Sequence, residues 1–585
     1  MLDDGDPRTV NRMLERAAHL SHAGIRLLDR NEKATWKPWS EIRERALRVG
    51  AGLRRLGIRE GERVALVFPT SWEFFDAFFG TLLAGAVPVP LYPPVRLGRL
   101  GEYHRRTARM LERVGAAVVL ADRRLRRLLG ETIHRARPPH GCRLPSALPP
   151  GELVPATVSP DDLALVQFSS GTTMDPKPVA LTHRAVMAQT VLLNRLWPDR
   201  PGLRHSGVSW LPLYHDMGLI GCIFPALERP GPLTLLPPEA FAARPALWLR
   251  VISRYRATLS SAPNFAYGLC VKKIRDQELD GVDLSCWRLA VNGAEVVVPE
   301  VLRAFQQRFA PWGLRREALT PVYGLSEAAL AVTFSDRHRP FTSRRFDRGE
   351  LAAGRVREAP EGVELVSAGR PLPGFKVRIA DPGGRRLGPD EVGQILVKGP
   401  SLMTGYLDQP ERTAEVLGRG GWLVTGDLGL ISADQLYLVG RIKDLLILRG
   451  RNHAPEEVER AVDAVEGVRT GCAVAVSWLP EEADGEVLLV LVEVRREIPP
   501  AEGPAIAERC ARAVLAATGL IPERVVPLLP GSLPRTSSGK LRRREALRQY
   551  LAGELAAPAP VSPRQLAGAM ARSAAAWARW SWERR

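Results

Sequence analysis

The chain has 585 residues, 45% hydrophobic and 25% charged, enough apolar material for a large buried core and more than one domain. A disordered or fibrous chain is excluded. Lysine and arginine number 82 against 64 acids, a net charge of +18, and only nine of the 82 are lysine. Two explanations fit this bias: an acidic partner, or codon bias in a chain also rich in alanine, glycine and proline. Composition by itself favours the second, because dispersed cations make no patch.

The first residues, Met1-Leu2-Asp3-Asp4-Gly5-Asp6, lack the basic start and apolar run of a signal peptide. The uncharged stretch 77–92 is shorter than a bilayer span and contains Pro88 and Pro90, so it reads as a buried helix followed by a strand. The six cysteines (Cys142, Cys222, Cys270, Cys286, Cys472, Cys510) have no pairing or metal spacing and read as reduced core residues. A cytoplasmic protein without an integral membrane segment is expected.

In chain order, residues 64–68 and 117–121 read as buried strands among helical patterns, which predicts a layered α/β architecture. Turn residues at 138–141 and 149–151 precede the next unit, and strands and helices then continue from 164 to about 439. Within that stretch, 376–397 reads as β-rich, turning at Asp381-Pro382-Gly383-Gly384. Beyond 441 the chain changes scale: helices at 456–465 and 505–517 and strands at 471–476 and 487–494 predict a small α+β domain. The expected organisation is a large domain 1–440 of several subdomains, one of them β-rich, a small domain 441–555 and a tail 556–585. Trp577, Trp580 and Trp582 lie among arginines in that tail, and a contact helix is conceivable, but a frayed end is the expectation.

The first chemical signal is Ser169-Ser170-Gly171-Thr172-Thr173-Met174-Asp175-Pro176-Lys177, directly after the strand predicted at 163–168. Hydroxyls, a glycine and a lysine in a loop after a strand suit a polyphosphate, and the spacing is not that of a Walker loop. Tyr323-Gly324-Leu325-Ser326-Glu327, Thr425-Gly426-Asp427, Gly440-Arg441-Ile442-Lys443-Asp444 and Pro534-Arg535-Thr536-Ser537-Ser538-Gly539-Lys540 follow in that order. Each is weak alone. As an ordered set, spanning about 43–543, they resemble the adenylate-forming superfamily of acyl-CoA synthetases, adenylation domains and luciferases. The run Ser209-Trp210-Leu211-Pro212-Leu213-Tyr214-His215-Asp216-Met217-Gly218, the segment 86–94 and Gly450-Arg451-Asn452-His453 resemble the fatty acyl-AMP ligase branch. So does the 41-residue segment 328–368, since in that branch an insertion in this neighbourhood is associated with restricted domain motion.

The resemblance implies an α/β fold with a mobile C-terminal domain, ATP and Mg²⁺ as cofactors, and a fatty acid as substrate. It implies that Ser170, Gly171, Thr172, Thr173 and Lys177 hold the β and γ phosphates, that Ser326 contacts a phosphate oxygen and that Glu327 binds Mg²⁺. Tyr323 with Gly324, and the turn Gly293-Ala294-Glu295 after Asn292, would flank adenine; Asp427 would accept from the ribose and Arg441 would lie near the α-phosphate. His215 would meet the reacting carboxylate, Lys540 would be the electrostatic catalyst, and Lys443 the hinge. Met174 and Pro178 depart from the family pattern at two glycine positions, which leaves open a degenerate homologue that binds without turnover.

The acceptor implied is the phosphopantetheine thiol of an acyl carrier protein; CoA is the alternative. No nucleic-acid motif is present, and a monomer is expected. The basic excess is uneven: residues 96–143 carry thirteen arginines against four acids, and 336–357 carry seven against three. An acidic carrier would suit such surfaces through electrostatic steering.

Overall fold

Short runs of valine, leucine and isoleucine alternate with amphipathic helices through most of the chain, and the strands gather into parallel sheets covered by those helices. The computed structural model describes all residues except 1–7, 30, 95–96, 170–175, 198–204, 419, 449–450, 481–485, 537–538, 558–562 and 584–585.

The largest sheet runs in parallel through Leu319–Gly324, Leu289–Asn292, Leu259–Ala262, Gly207–Ser209, Pro232–Leu235 and Gly24–Leu28. Antiparallel strands close its two edges, Ala34–Pro38 on one side and Ala331–Phe334 with Arg370–Pro371 on the other. A second sheet is wholly parallel: Val87–Leu91, Arg63–Val67, Val118–Ala121 and Cys142–Arg143. Helices Trp39–Arg55 and Trp72–Leu83 pack against each other, and Trp39, Ile42, Phe74, Phe75, Phe78 and Phe79 join residues of both sheets in one buried cluster. The stretch 77–92 is therefore the expected buried helix and strand, and it completes a core instead of crossing a bilayer. Among the described residues no helix is long and apolar enough to cross a membrane. All six cysteines are free; five are buried, whereas Cys222, expected in the core with them, is half-buried.

Two antiparallel sheets frame the site. Leu163–Phe168, Pro178–Thr182 and Gly405–Tyr406 form one; Lys376–Ala380, Gly393–Lys398, Trp422–Ser432 and Gln435–Arg441 form the centre of the other, its first two strands being the predicted β-rich segment. The C-terminal region has its own core, built only from residues beyond 445: strands Val468–Trp478, Val487–Val494 and Arg524–Leu528 against helices Pro455–Asp463, Gly503–Thr518 and Arg543–Leu551.

One region differs from the sequence reading. The tail is not frayed: Pro563–Trp582 is a helix docked on the N-terminal helices Arg123–Leu128 and Gly130–Ala136. Ala569, Ser573 and Ala576 are buried on one face, Trp577 and Trp580 join the core beneath, and an ideal Cβ at Gly130 would stand 2.1 Å from the Ser573 carbonyl oxygen. Small residues every third or fourth position let the helix approach closely, and the tryptophans bury the area that repays its ordering. Segment 328–368 carries Ala331–Phe334, Ser343–Phe346, Arg348–Ala352 and Val363–Val366.

Candidate active site

The site lies at the carboxyl ends of the parallel strands, where open α/β sheets place their ligands. His215 follows Gly207–Ser209, the 293–295 turn follows Leu289–Asn292, and Tyr323 ends Leu319–Gly324. Gly324 is required by packing: an ideal Cβ there would lie 1.8 Å from the Leu330 carbonyl oxygen.

Three hydrogen-bonded groups make up the N-terminal side. In the first, Asp427 accepts from the Tyr323 hydroxyl at 2.8 Å and from Arg441 Nε at 2.9 Å. Antiparallel pairing puts Asp427 directly opposite Arg441, so this contact is written into the sheet register. Tyr323 is buried, its ring packed among Leu192, Leu193 and Ala328, and burial followed by the adjacent Asp427 charge raises its hydroxyl pKa well above the ordinary value.

In the second group, Asp216 accepts from His215 Nδ1 at 2.8 Å, from the Met217 backbone N–H at 2.7 Å and from the Ser326 hydroxyl. Burial opposes ionisation of Asp216, but the His215 charge and these bonds outweigh it and hold the carboxyl down to about 2. The bond fixes the His215 ring and leaves its buried Nε2 without a hydrogen-bond partner among the described residues. Ser326 has one donor, and Asp216 takes it, so here its hydroxyl braces a carboxylate where the sequence reading had it facing phosphate. A cleft walled by Leu91, Tyr92, Met110, Phe168 and Tyr214 opens beside His215.

In the third group, the Tyr406 hydroxyl donates to Glu327 Oε1 at 2.9 Å and accepts from Lys177 Nζ at 3.2 Å. Burial lowers the Lys177 pKa, partly offset by the Glu327 charge. Ser169 and Lys177 pair across the mouth of a hairpin, Ser169 N–H to Lys177 O at 2.9 Å. Leu163–Phe168 and Pro178–Thr182, which flank the expected phosphate segment, thus pair antiparallel; Ser170, Gly171, Thr172, Thr173 and Met174 of that segment lie outside the described residues. Pro178 opens the strand Pro178–Thr182 opposite Phe168, a position that tolerates its missing N–H.

Lys540 comes from the C-terminal domain. Its backbone is clamped by Thr536, with Lys540 N–H to Thr536 Oγ1 at 3.0 Å and Thr536 N–H to Lys540 O at 2.8 Å. Its ammonium has no hydrogen bond or ion pair to a described residue. Burial and the Arg441 charge lower its pKa, while the Glu295, Asp216 and Asp427 charges pull it upward. Burial raises the Glu295 pKa; this carboxylate accepts from the Phe265 backbone N–H at 2.6 Å. Ala294, just before it, is an exposed residue with φ +68°.

The junction at 441–444 divides sharply. Arg441 is bound to Asp427, whereas the Lys443 carbonyl accepts from Arg544 at 2.9 Å and Asp444 pairs with Arg543 at 3.0 Å, both in the C-terminal domain. Ile442, between them, is exposed.

The structure therefore brings together His215, Ser326, Glu327, Lys177, Tyr323, Asp427, Arg441, Glu295 and Lys540. Sequence reasoning missed Tyr406, for which no local motif exists, and assigned no role to Asp216, whose place beside His215 was the available signal.

The AMP-binding enzyme family matches residues 14–407. The long-chain-fatty-acid–AMP ligase FadD23 of Mycobacterium tuberculosis is 33% identical over 538 residues, covering 88% of this chain and 90% of its own. The medium-chain-fatty-acid–[acyl-carrier-protein] ligase JamA of Moorena producens is 34% identical over 544 residues, covering 88% and 90%. A solved fatty acyl-adenylate ligase, from work on the E. coli and L. pneumophila enzymes, superposes with a TM-score of 0.87 at 33% identity, over 93% of this chain and 98% of its own. By sequence and by fold, the chain belongs to the AMP-binding enzyme family and, within it, to the fatty acyl-AMP ligases.

Proposed function

We propose that the protein joins a medium- or long-chain fatty acid to AMP, releasing pyrophosphate from ATP, and then passes the acyl group to the phosphopantetheine thiol of an acyl carrier protein. The observation that carries this reading is the convergence of three bonded groups, Asp427 with Tyr323 and Arg441, Asp216 with His215 and Ser326, and Glu327 with Lys177 through Tyr406, beside a Lys540 ammonium that is unpaired among the described residues. The fatty carboxylate attacks the α-phosphorus of ATP and the bond to pyrophosphate breaks, so negative charge gathers between carboxylate and α-phosphate. Lys540 offsets that charge where it develops. His215, held by Asp216, directs Nε2 to the carboxylate, and the small cleft beside it, lined by Tyr92, Phe168 and Tyr214 together with Arg106, receives the end of the acyl chain next to that carboxylate.

Tyr323, Gly324 and the 293–295 turn flank adenine, Asp427 accepts from the ribose, and Arg441 faces the α-phosphate. Lys177 with Ser170, Gly171, Thr172 and Thr173 holds the outer phosphates, and Ser326 braces Asp216. Glu327 suits Mg²⁺: its carboxylate is oriented by the Tyr406 hydroxyl on one oxygen, and this ion commonly takes one or two carboxylates and completes its shell from phosphates and water. Bound there, Mg²⁺ would supply charge neutralisation to the phosphates.

After adenylation the 441–555 domain turns about Ile442 and withdraws Lys540, with Lys443 travelling on its side of the hinge. Segment 328–368 restrains this turn through Arg348, which donates to the Ala517 carbonyl at 2.6 Å and pairs with Glu457 at 3.1 Å. JamA, by name an acyl-carrier-protein ligase, supports the carrier as acceptor. The docking face is narrower than charge counting implied. In 336–357, Arg344, Arg345, Arg348, Arg355 and Arg357 are paired to carboxylates, whereas Arg105, Arg109, Arg123, Arg124, Arg127 and Arg135 of the first cluster are exposed. Exchange of labelled pyrophosphate into ATP should require a fatty acid. A folded protein that gives no exchange with any chain length would instead be a non-catalytic binder.

A further inference from the structure

The chain returns to the N-terminal domain after leaving the C-terminal one. Leu555 still packs on the C-terminal core, and from Pro563 the tail helix lies on the N-terminal helices Arg123–Leu128 and Gly130–Ala136. The contact is specific. Gly130 N–H donates to Ser573 Oγ at 2.8 Å, Trp577 Nε1 donates to the Arg126 carbonyl at 3.2 Å, and the Arg126 guanidinium lies 5.0 Å from the Trp577 ring. Trp580 covers Gly141, Arg572 pairs with Glu131 at 3.5 Å, and Glu583 pairs with Arg137 at 3.1 Å. Arg126 and Arg137 of the 96–143 cluster are thus occupied by the chain's own end.

We propose that this helix is a second tether for the C-terminal domain, a strap that limits how far the domain turns away from the site. The proposal rests on the domain motion proposed above. A domain attached only at Ile442 rotates freely about that point; one also held at its far end is confined to rotations that the second connection can span. Residues 556–562 form that connection, and from Leu555 to Pro563 the chain reaches at most about 28 Å when fully extended. Arg99 adds to the restraint at the start of the link: it donates to the Ser532 carbonyl at 3.2 Å in the C-terminal domain and to the Ala556 carbonyl at 3.4 Å. The strap therefore favours the arrangement in which Lys540 occupies the site, and it opposes the turn that precedes acyl transfer.

The test separates tether length from helix packing. A Gly/Ser insertion of about twelve residues after Ala557 leaves the helix able to dock but adds about 20 Å of reach. Single-turnover transfer from preformed acyl-adenylate to a phosphopantetheinylated carrier should rise at least about threefold, with pyrophosphate exchange unchanged. The double variant Trp577→Ala/Trp580→Ala, whose helix is released, should show the same increase. Unchanged transfer in the insertion variant, with exchange intact, overturns the tether. Absence of exchange in the unaltered protein overturns the underlying function instead.

Discussion

The two sides of the site are held in opposite ways. On the N-terminal side every carboxylate already has protein partners: Asp427 with Tyr323 and Arg441, Asp216 with His215 and Ser326, Glu327 with Tyr406. On the C-terminal side, Lys540 is positioned only through its backbone, by Thr536, and its ammonium is unpaired among the described residues. The difference teaches how one protein can bind and then let go. The binding surface is pre-organised, while the cation proposed to complete it makes no side-chain bond of its own to a described residue, so its withdrawal is opposed only by contacts elsewhere, such as those of Arg348 and Arg99.

The comparison breaks most visibly at Lys540. Lys540→Ala should lower fatty-acid-dependent pyrophosphate exchange by about 100- to 1000-fold, the usual cost of losing one pre-organised charge at a reacting centre. Transfer from preformed acyl-adenylate should persist. Equal loss of both steps would mean that Lys540 supports folding or docking and not the first step.

On the fixed side, Asp216 is a positioning residue. Asp216→Asn should reduce kcat for adenylation by about 10- to 100-fold, because His215 and Ser326 both lose a charged acceptor. The loss should not add to that of His215→Ala, since the two residues act as a unit. Additive losses would show that Asp216 acts independently of the histidine. Tyr406→Phe should have a smaller effect, about 5- to 10-fold, appearing as a raised KM for ATP and a shifted Mg²⁺ requirement, with kcat preserved. A kcat effect at unchanged KM would contradict its role in joining Lys177 to Glu327.

The smallest expected effect is on stability, with opposite signs in the two regions. His183 is buried and accepts from the Val10 N–H at 3.1 Å, and burial lowers its pKa to about 4. Between about 4 and 6.5 the unfolded chain binds more protons at this residue, so falling pH removes stability from the N-terminal domain. Burial raises the Asp463 pKa to about 6, against the opposing hydrogen bond from Gly471 N–H. Over about 4 to 6 the folded C-terminal domain binds more protons there, so the same fall in pH adds stability. Hydrogen exchange at pH 7 and 5 should show protection falling in His183–Leu196 and not in Pro455–Asp463; parallel loss in both would contradict the assignment.

Local chemistry was legible in the sequence and long-range closure was not. The strand at 64–68, the helix and strand within 77–92 and the first two helices and two long strands of the C-terminal domain follow from apolar periodicity, which each segment carries by itself, whereas Arg524–Leu528 and Arg543–Leu551 were not read. The motifs around Tyr323, Asp427, Arg441 and Lys540 marked one site because their order along the chain is informative. Tyr406 escaped notice because its partners lie 79 and 229 residues away and only the pairing of Gly405–Tyr406 with Pro178–Thr182 brings them together. The tail was misread for the same reason. Its stripe of alanine, serine and tryptophan is visible, but the surface that receives it, at Gly130, is 443 residues earlier.

The most direct measurement supplies ATP, Mg²⁺ and palmitate to the protein together with both a phosphopantetheinylated carrier protein and CoA, and reads the products by mass spectrometry. The proposed function predicts a carrier heavier by one palmitoyl group, with CoA left unmodified. Efficient palmitoyl-CoA formation, or neither product while the protein remains folded, would contradict it.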